Sequence, residues 1–382
     1  MDEKVPYYIL NSIMKHYYLL ILTLLISGCW SDKAKEINRI SINENELDAI
    51  LIDNIFSDYK FISLEETDSS LVGAIRKIVL KNDVIYVSAG GRLFQFTTTG
   101  KHLRTLDRYG RGPEEYISIW DFIVSDKDIL VWDQNSRKII RYSLENRHIA
   151  SYSLDHFAAS IYLIDRDKVL FSSSYQGDDE YKFIVRDLET MDIITSFHPI
   201  NMAQTTYRHV MYQDNYYVYK DALLFHEPMN NHIYEIDNHE LKPIHYIDIY
   251  GKNPPEEFWE KEYEHVGDIQ TIAQKNGYSY GVPIYAESEN QVVFSFRSDN
   301  TSLLCSYLKR TRESVQSEKL ILFPGIPAID VSQIKFNTES EEAFLLAIES
   351  NAFYEDIDTP YAKELSYLSN NGNPVICIAK LK

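Results

Sequence analysis

The sequence predicts an all-β fold, a six-bladed β-propeller built from four-stranded antiparallel blades. Three observations carry this expectation. From about Tyr59 onward, short runs of β-branched and aromatic residues alternate with turn formers, and long amphipathic helical patterns are scarce. A strand–turn–strand unit recurs six times. A strand-like run stands at each end of the repeats, YKFISLE at 59–65 and PVICIAKLK at 374–382. Pairing of these N- and C-terminal strands would close the ring.

The N-terminus carries an address. Lys15-His16 precedes the apolar run YYLLILTLL (17–25), and Ile26-Ser27-Gly28-Cys29 follows. Basic, then apolar, then small residues is the order of a secretory signal, and the apolar run is too short to span a bilayer. Residues 1–28 are therefore expected to be a signal peptide. Met14 is an alternative start, because residues 1–13 bring acids that do not suit a signal. The cysteine after Gly28 resembles the bacterial lipobox, which implies lipidation at Cys29 and attachment to a membrane. The place implied is the cell envelope, at the outer membrane, on its periplasmic side or on the cell surface. Ser31-Asp32 loosely resembles the acidic tag of surface-exported lipoproteins. Residues 29–58 read as lipid anchor and tether, and 59–382 as the propeller.

The composition bounds the rest. A chain of 382 residues with a 45% hydrophobic fraction can bury a sizeable core. A net charge of −19 repels phosphate backbones and argues against nucleic acid as a partner. The 29 tyrosines suit strands with one wet edge, or a surface on which sugars stack. Cys305 and Cys377 sit in the apolar runs LLCSYL and PVICIA and read as buried free thiols. No cysteine–histidine spacing suggests zinc.

The repeats follow in order. One unit runs from Val84 to Leu106 and the next from Ile129 to Leu154, with Arg92 and Arg137 at matching positions. Looser copies lie at 169–188, 222–237, 292–307 and 343–358. One such sheet cannot bury both of its faces, whereas sheets packed in a ring can. Two helical candidates interrupt the pattern, Pro254 to Tyr263 and Pro360 to Leu368.

Between the first two units lies RYGRGPEEY, Arg108 to Tyr116. In a propeller this stretch crosses from the rim to the axis over one face. Gly110 and Gly112 would permit positive φ, Pro113 fixes its own φ, and Arg108 or Arg111 would pair with Glu114 or Glu115. IYGKNPPEEF (249–258) echoes it three repeats later, which in a six-bladed ring sets the two loops on opposite sides of one face. The crossover Gly-x-Gly-Pro-x-Glu-Tyr follows a blade of the form IYV…LFQFTTTGKHLRTL. With FISLEE before the first blade and the NPVICIAKLK ending, it resembles the six-bladed β-propeller lipoproteins of Bacteroides-type bacteria, which are similar to NHL-repeat and TolB-like propellers. The resemblance covers about residues 40–382. Glu114 stands where such proteins more usually carry a second glycine. The resemblance implies fold and anchoring and brings no catalytic residue with it.

The motifs point to binding rather than to a reaction. Gly110-Arg111-Gly112-Pro113 lacks the Lys-Ser/Thr of a phosphate loop, and neither G-x-S-x-G nor H-E-x-x-H occurs. The expected function is a non-catalytic binding or protein-interaction scaffold, with an unidentified glycan, peptide or protein as partner and no cofactor. Its contact residues would be Arg108, Arg111, Tyr116, Trp120, Tyr250, Lys252 and Trp259. The alternative is a metal-dependent hydrolase or lyase at the axial channel, drawing on His209, His226, Asp121 and Glu227. The acid run at 177–180 reads as a solvated hairpin tip.

Overall fold

In this computed structural model the described residues are 37–173, 180–200, 215–227, 229–299, 301–337, 343–353, 360–369 and 372–382. The signal segment, Cys29, His209 and most of the acid run at 177–180 lie outside them. The unit from Asn38 to Lys382 holds every described sheet.

Blade 1 comprises Ile75–Lys81, Val84–Ala89, Arg92–Thr97 and His102–Leu106, each antiparallel to the next. Blade 2 comprises Asp121–Val124, Asp128–Asp133, Lys138–Ser143 and His148–Ser153. Blade 3 comprises Ser160–Asp165, Lys168–Ser172, Tyr181–Asp187 and Ile193–Pro199. Blade 4 comprises Tyr216–Tyr219, Ala222–His226, His232–Asp237 and Glu240–Ile249. Blade 5 comprises Tyr285–Glu287, Gln291–Ser298, Thr301–Leu308 and Ser314–Ser317. These strands fall where the repeat places them, because their β-branched and aromatic residues suit a pleated surface covered on both sides.

Six blades were expected and the described residues form seven sheets. The additional one is a three-stranded sheet of Ile50–Leu51, Lys319–Ile321 and Ile329–Asp330. Its strands are two or three residues long, too short to show an alternating pattern in sequence. The last, closing blade comprises Ile334–Asn337, Phe344–Ile348, Val375–Leu381 and Phe56–Ser63. There the chain ends meet: Val375 pairs with Ser63, Cys377 with Phe61 and Ala379 with Tyr59. Among the described residues, the sixth repeat copy contributes the strand Phe344–Ile348, which pairs antiparallel with Ile334–Asn337 and with the C-terminal strand.

The stretch read as a tether is structured from Asn38 onward. Asn38–Ile42 adds a fifth, parallel strand to the rim of blade 4, with Ile40 opposite Ile247. The chain then bonds to blade 5, where Leu47 N donates to Gln316 O at 2.8 Å and Gln316 N to Asn45 O at 3.2 Å. Ile50–Leu51 joins the small sheet in parallel, and Phe56–Ser63 enters the closing blade. One segment thus straps four successive sheets together along the rim.

Apolar clusters seal neighbouring sheets to each other. Tyr86 and Leu93 of blade 1 pack with Phe122 and Val131 of blade 2, and Trp132 of blade 2 packs with Phe171 of blade 3. Phe183 meets Phe225 between blades 3 and 4, and Ile247 meets Phe294 between blades 4 and 5. Leu345 and Ile376 of the closing blade join Ile85 of blade 1. Each such side chain contributes about 1.5–3 kcal/mol when fully buried. Cys305 and Cys377 lie within these clusters as free thiols, and burial raises the pKa of both. The two helical candidates form Glu256–Glu260 and Ala362–Ser369.

The closing pair gives a direct test. Ile376 is fully buried between the closing blade and blade 1. Ile376→Ala should lower unfolding stability by about 2–5 kcal/mol, read from the denaturant midpoint. A change of only a few tenths would show that the ends do not seal the ring.

Candidate functional site

The loop at 108–116 crosses from the last strand of blade 1 to the first strand of blade 2, as its place between repeats implies. It closes on itself. Gly110 N donates to Tyr116 O at 2.9 Å, and Tyr116 N donates to Arg108 O at 3.0 Å. The Glu115 carboxylate folds back under the turn and accepts from Gly112 N at 2.7 Å. Blade 2 holds the loop from below. Lys138 Nζ donates to the carbonyls of Gly112 and Glu115, Tyr142 Oη to that of Glu114, and Ser151 Oγ to that of Pro113.

Two expectations about this loop are corrected. Neither Gly110 nor Gly112 has positive φ. A Cβ at Gly110 would lie 2.0 Å from Glu115 Oε2, so a side chain there would displace that carboxylate from Gly112 N. The glycine fits the close approach of the carboxylate rather than backbone handedness. Among the described residues, no ion pair joins Arg108 or Arg111 to Glu114 or Glu115; Glu115 is committed to the backbone and Glu114 lies 3.8 Å from His148.

The seven residues expected to contact a ligand separate into two kinds. Tyr116 is fully buried; its hydroxyl donates to Leu106 O at 3.0 Å and accepts from Arg108 N, and burial pushes its pKa up to about 12. Trp259 stacks edge-on against Phe258 and Tyr280 in a small core under the second crossover. Trp120 is half-buried, with its indole N–H donating to Ala159 O at 2.9 Å and the Arg76 guanidinium 4.0 Å above its ring. Tyr250 holds a positive φ of 58° and packs edge-on against Phe296. These four side chains support the fold. Arg108 and Arg111 are exposed, and Lys252 is loosely paired with Glu44 at 3.5 Å. Between the arginines stands Tyr109, 74% exposed, which the sequence reading did not single out.

The stretch 249–258 opens the second crossover, which runs from the last strand of blade 4 to the first of blade 5, at Tyr285, and so lies on the same face as the first. It is elaborated by helices Glu256–Glu260 and Val266–Lys275, the latter opened by a capping box in which His265 N donates to Asp268. With seven sheets in the ring, crossovers three blades apart are not diametrically opposed.

The acids proposed for an axial metal are already neutralised. Asp121 Oδ1 accepts from the buried Lys77 Nζ at 2.8 Å, and its other oxygen accepts from Ile161 N. Glu227 pairs with the fully buried Lys182. An ammonium in contact with each carboxylate opposes a divalent cation. His226 Nδ1 lies 2.7 Å from Val282 O, across the junction of blades 4 and 5. Among the described residues, no three His, Cys, Asp or Glu side chains group so as to hold a metal ion.

A second charged cluster was not anticipated. Glu287, at the end of the first strand of blade 5, is 4% exposed. One carboxylate oxygen accepts from Lys309 Nζ; the other accepts from Tyr285 Oη at 2.8 Å and lies 3.3 Å from His245 Nε2. Asn38 Nδ2 lies 3.1 Å from the other ring nitrogen of His245. Burial alone would raise the Glu287 pKa, but the bonds from His245 and Lys309 outweigh it and hold the group at about 2. These five side chains come from the rim strap, blade 4, the first strand of blade 5 and the turn after its third strand, so their sequence spacing carries no motif.

These features define a class, a β-propeller whose blade-to-blade crossovers at 108–116 and after Ile249 lie on one face. The chain belongs to the family described as "Domain of unknown function (DUF4934)", which it matches over residues 37–380. Among solved structures, it is similar to a protein described as exported from Bacteroides fragilis NCTC 9343. The TM-score is 0.70 at 16% identity, covering 90% of this chain and 100% of that one. A member of the duf4221 family from Bacteroides vulgatus ATCC 8482 matches with a TM-score of 0.45 at 10% identity, over 86% of this chain and 98% of that one. No curated protein matches the sequence. Among the described residues, no helix is long and apolar enough to cross a membrane.

The depressed Glu287 pKa has a consequence for stability. Its stabilising contribution is fully present above the ordinary carboxylate range and is lost as pH falls through about 2. Wild type should therefore exceed Glu287→Gln in thermal stability at neutral pH, and the gap should narrow as pH falls from about 4.5 to 2. A gap independent of pH would show that Glu287 is not held ionised by its neighbours.

Proposed function

We propose that this chain is an exported, lipid-anchored binding propeller that holds a partner on its crossover face. One observation carries the reading: the 108–116 loop is fixed by its own backbone bonds and by blade 2, while Arg108, Tyr109 and Arg111 project into solvent. A preordered loop loses little freedom on binding. Arginine and tyrosine are the residue types that most often dominate contact energies. On a chain of net charge −19, this basic and aromatic tip favours a partner that offers carboxylates beside an apolar or sugar surface. Lys252 on the second crossover extends the same face.

The address rests on the N-terminal order Lys15-His16, apolar run, Gly28-Cys29, with Cys29 as the lipidated residue. The similar Bacteroides fragilis protein, described as exported, agrees with it. The partner is then a peptide, glycan or protein of the envelope.

Capture of envelope components by immobilised protein tests the reading. Arg111→Ala and Tyr109→Ala should each lower capture by about tenfold, with the melting temperature unchanged. Undiminished capture by both variants would overturn it. An equal loss of thermal stability would reassign the loop to the fold.

A further inference from the structure

We propose that the cleft beside Glu287 is a binding site for a small hydroxylated carboxylate, a sugar acid in chemical class. The cleft has a volume of about 300 Å³, enough for one six-membered ring and its substituents. The rim strap forms one wall through Asn38 to Ser41. His245 and Glu287 form the floor, Tyr307 and Lys309 the second wall, and Arg312 the rim.

The charges inside are unequally committed. Both oxygens of Glu287 are taken by Lys309, Tyr285 and His245. The Lys309 ammonium is shared among Glu287, Ser288 O and Tyr219 Oη. Arg39 is spent on Asp248. Arg312 has no ion-pair partner among the described residues, so the uncommitted charge of the cleft is a guanidinium at its mouth. The turn beneath it is set, with Arg312 at φ 61° and its N–H bonded to Leu308 O at 2.8 Å. A guanidinium presents a planar fork matched to a carboxylate.

Two neutral groups of the cleft can also bond a ligand. Tyr307 lines the cleft, with its ring largely buried. Its hydroxyl is not sealed from solvent and is able to donate to a ligand. The Asn38 carboxamide reaches His245 through its nitrogen, which leaves its oxygen to accept from a ligand hydroxyl. One cationic fork, with a hydroxyl and a carboxamide in the same cleft, matches a carboxylate carried on a hydroxylated ring.

This site is distinct from the crossover face. Successive strands of a blade are antiparallel, so Tyr285–Glu287 begins at the crossover face and ends at the opposite one. Lys309 and Arg312 follow the third strand of blade 5, which ends at that same opposite face. Asn38 opens a strand parallel to Glu240–Ile249 and pairs there with His245, with Ile42 of the same strand nearer the crossover, opposite Ile249.

Calorimetric titration of the whole protein with glucuronate, glucose and acetate tests the proposal. Saturable glucuronate binding is expected, with glucose and acetate each weaker. Arg312→Ala should weaken glucuronate at least about tenfold, by loss of a charge-assisted pair. Tyr307→Phe removes one hydroxyl and should weaken it severalfold with an unchanged melting temperature. No saturable glucuronate binding, equal binding of glucose, or indifference to both substitutions would each overturn the proposal.

Discussion

The ladder between Phe56–Ser63 and Val375–Leu381 is the contact on which the rest of the molecule depends. A ring of sheets has no stable open form of the same geometry, because every apolar face between two sheets needs both. The closing ladder joins residues from opposite ends of the chain, so the entropy of closing the longest loop falls on it. It is reinforced by the rim strap, which bonds in turn to blade 4, blade 5 and the small sheet before entering the closing blade. Ends that would otherwise fray are thereby fastened at several points.

Closure also fixes the anchors of the first crossover. It runs from the rim of blade 1 to the inner strand of blade 2, and its two anchors are fixed only if the ring is. At the first crossover the geometry is completed by a carboxylate, Glu115, tucked under its own backbone. That leaves the arginines and Tyr109 with nothing to do for the fold. Elsewhere the buried charges do hold it. Lys77 with Asp121 ties blade 1 to blade 2, and Lys182 with Glu227 ties blade 3 to blade 4. A buried pair of this kind adds little net stability over an apolar packing, yet removing one partner is costly, so such pairs act chiefly to fix register.

Much of the architecture was legible because strands long enough to alternate declare themselves. RLFQFT and KIIRYS are examples, and so is the terminal VICIAKL. The seventh sheet was not legible, since Ile50–Leu51 and Ile329–Asp330 are too short to carry a period. NRISI was read as tether because five residues among polar neighbours give no reason to look for a parallel partner two hundred residues away. The site was less legible still. Sequence types alone placed Tyr116 and Trp259 beside Arg108 and Arg111, and burial then separated them. The cluster of Asn38, His245, Glu287 and Lys309 is assembled by the ring itself, and no linear motif could announce it.

Hydrogen exchange resolved by peptide tests ring closure most directly. If the terminal ladder holds the ring, amides of 56–63 and 375–381 will exchange only through global unfolding, at the rate of the central strands of blades 1 and 2. Fast exchange of the terminal ladder, with those central strands still protected, would contradict the account.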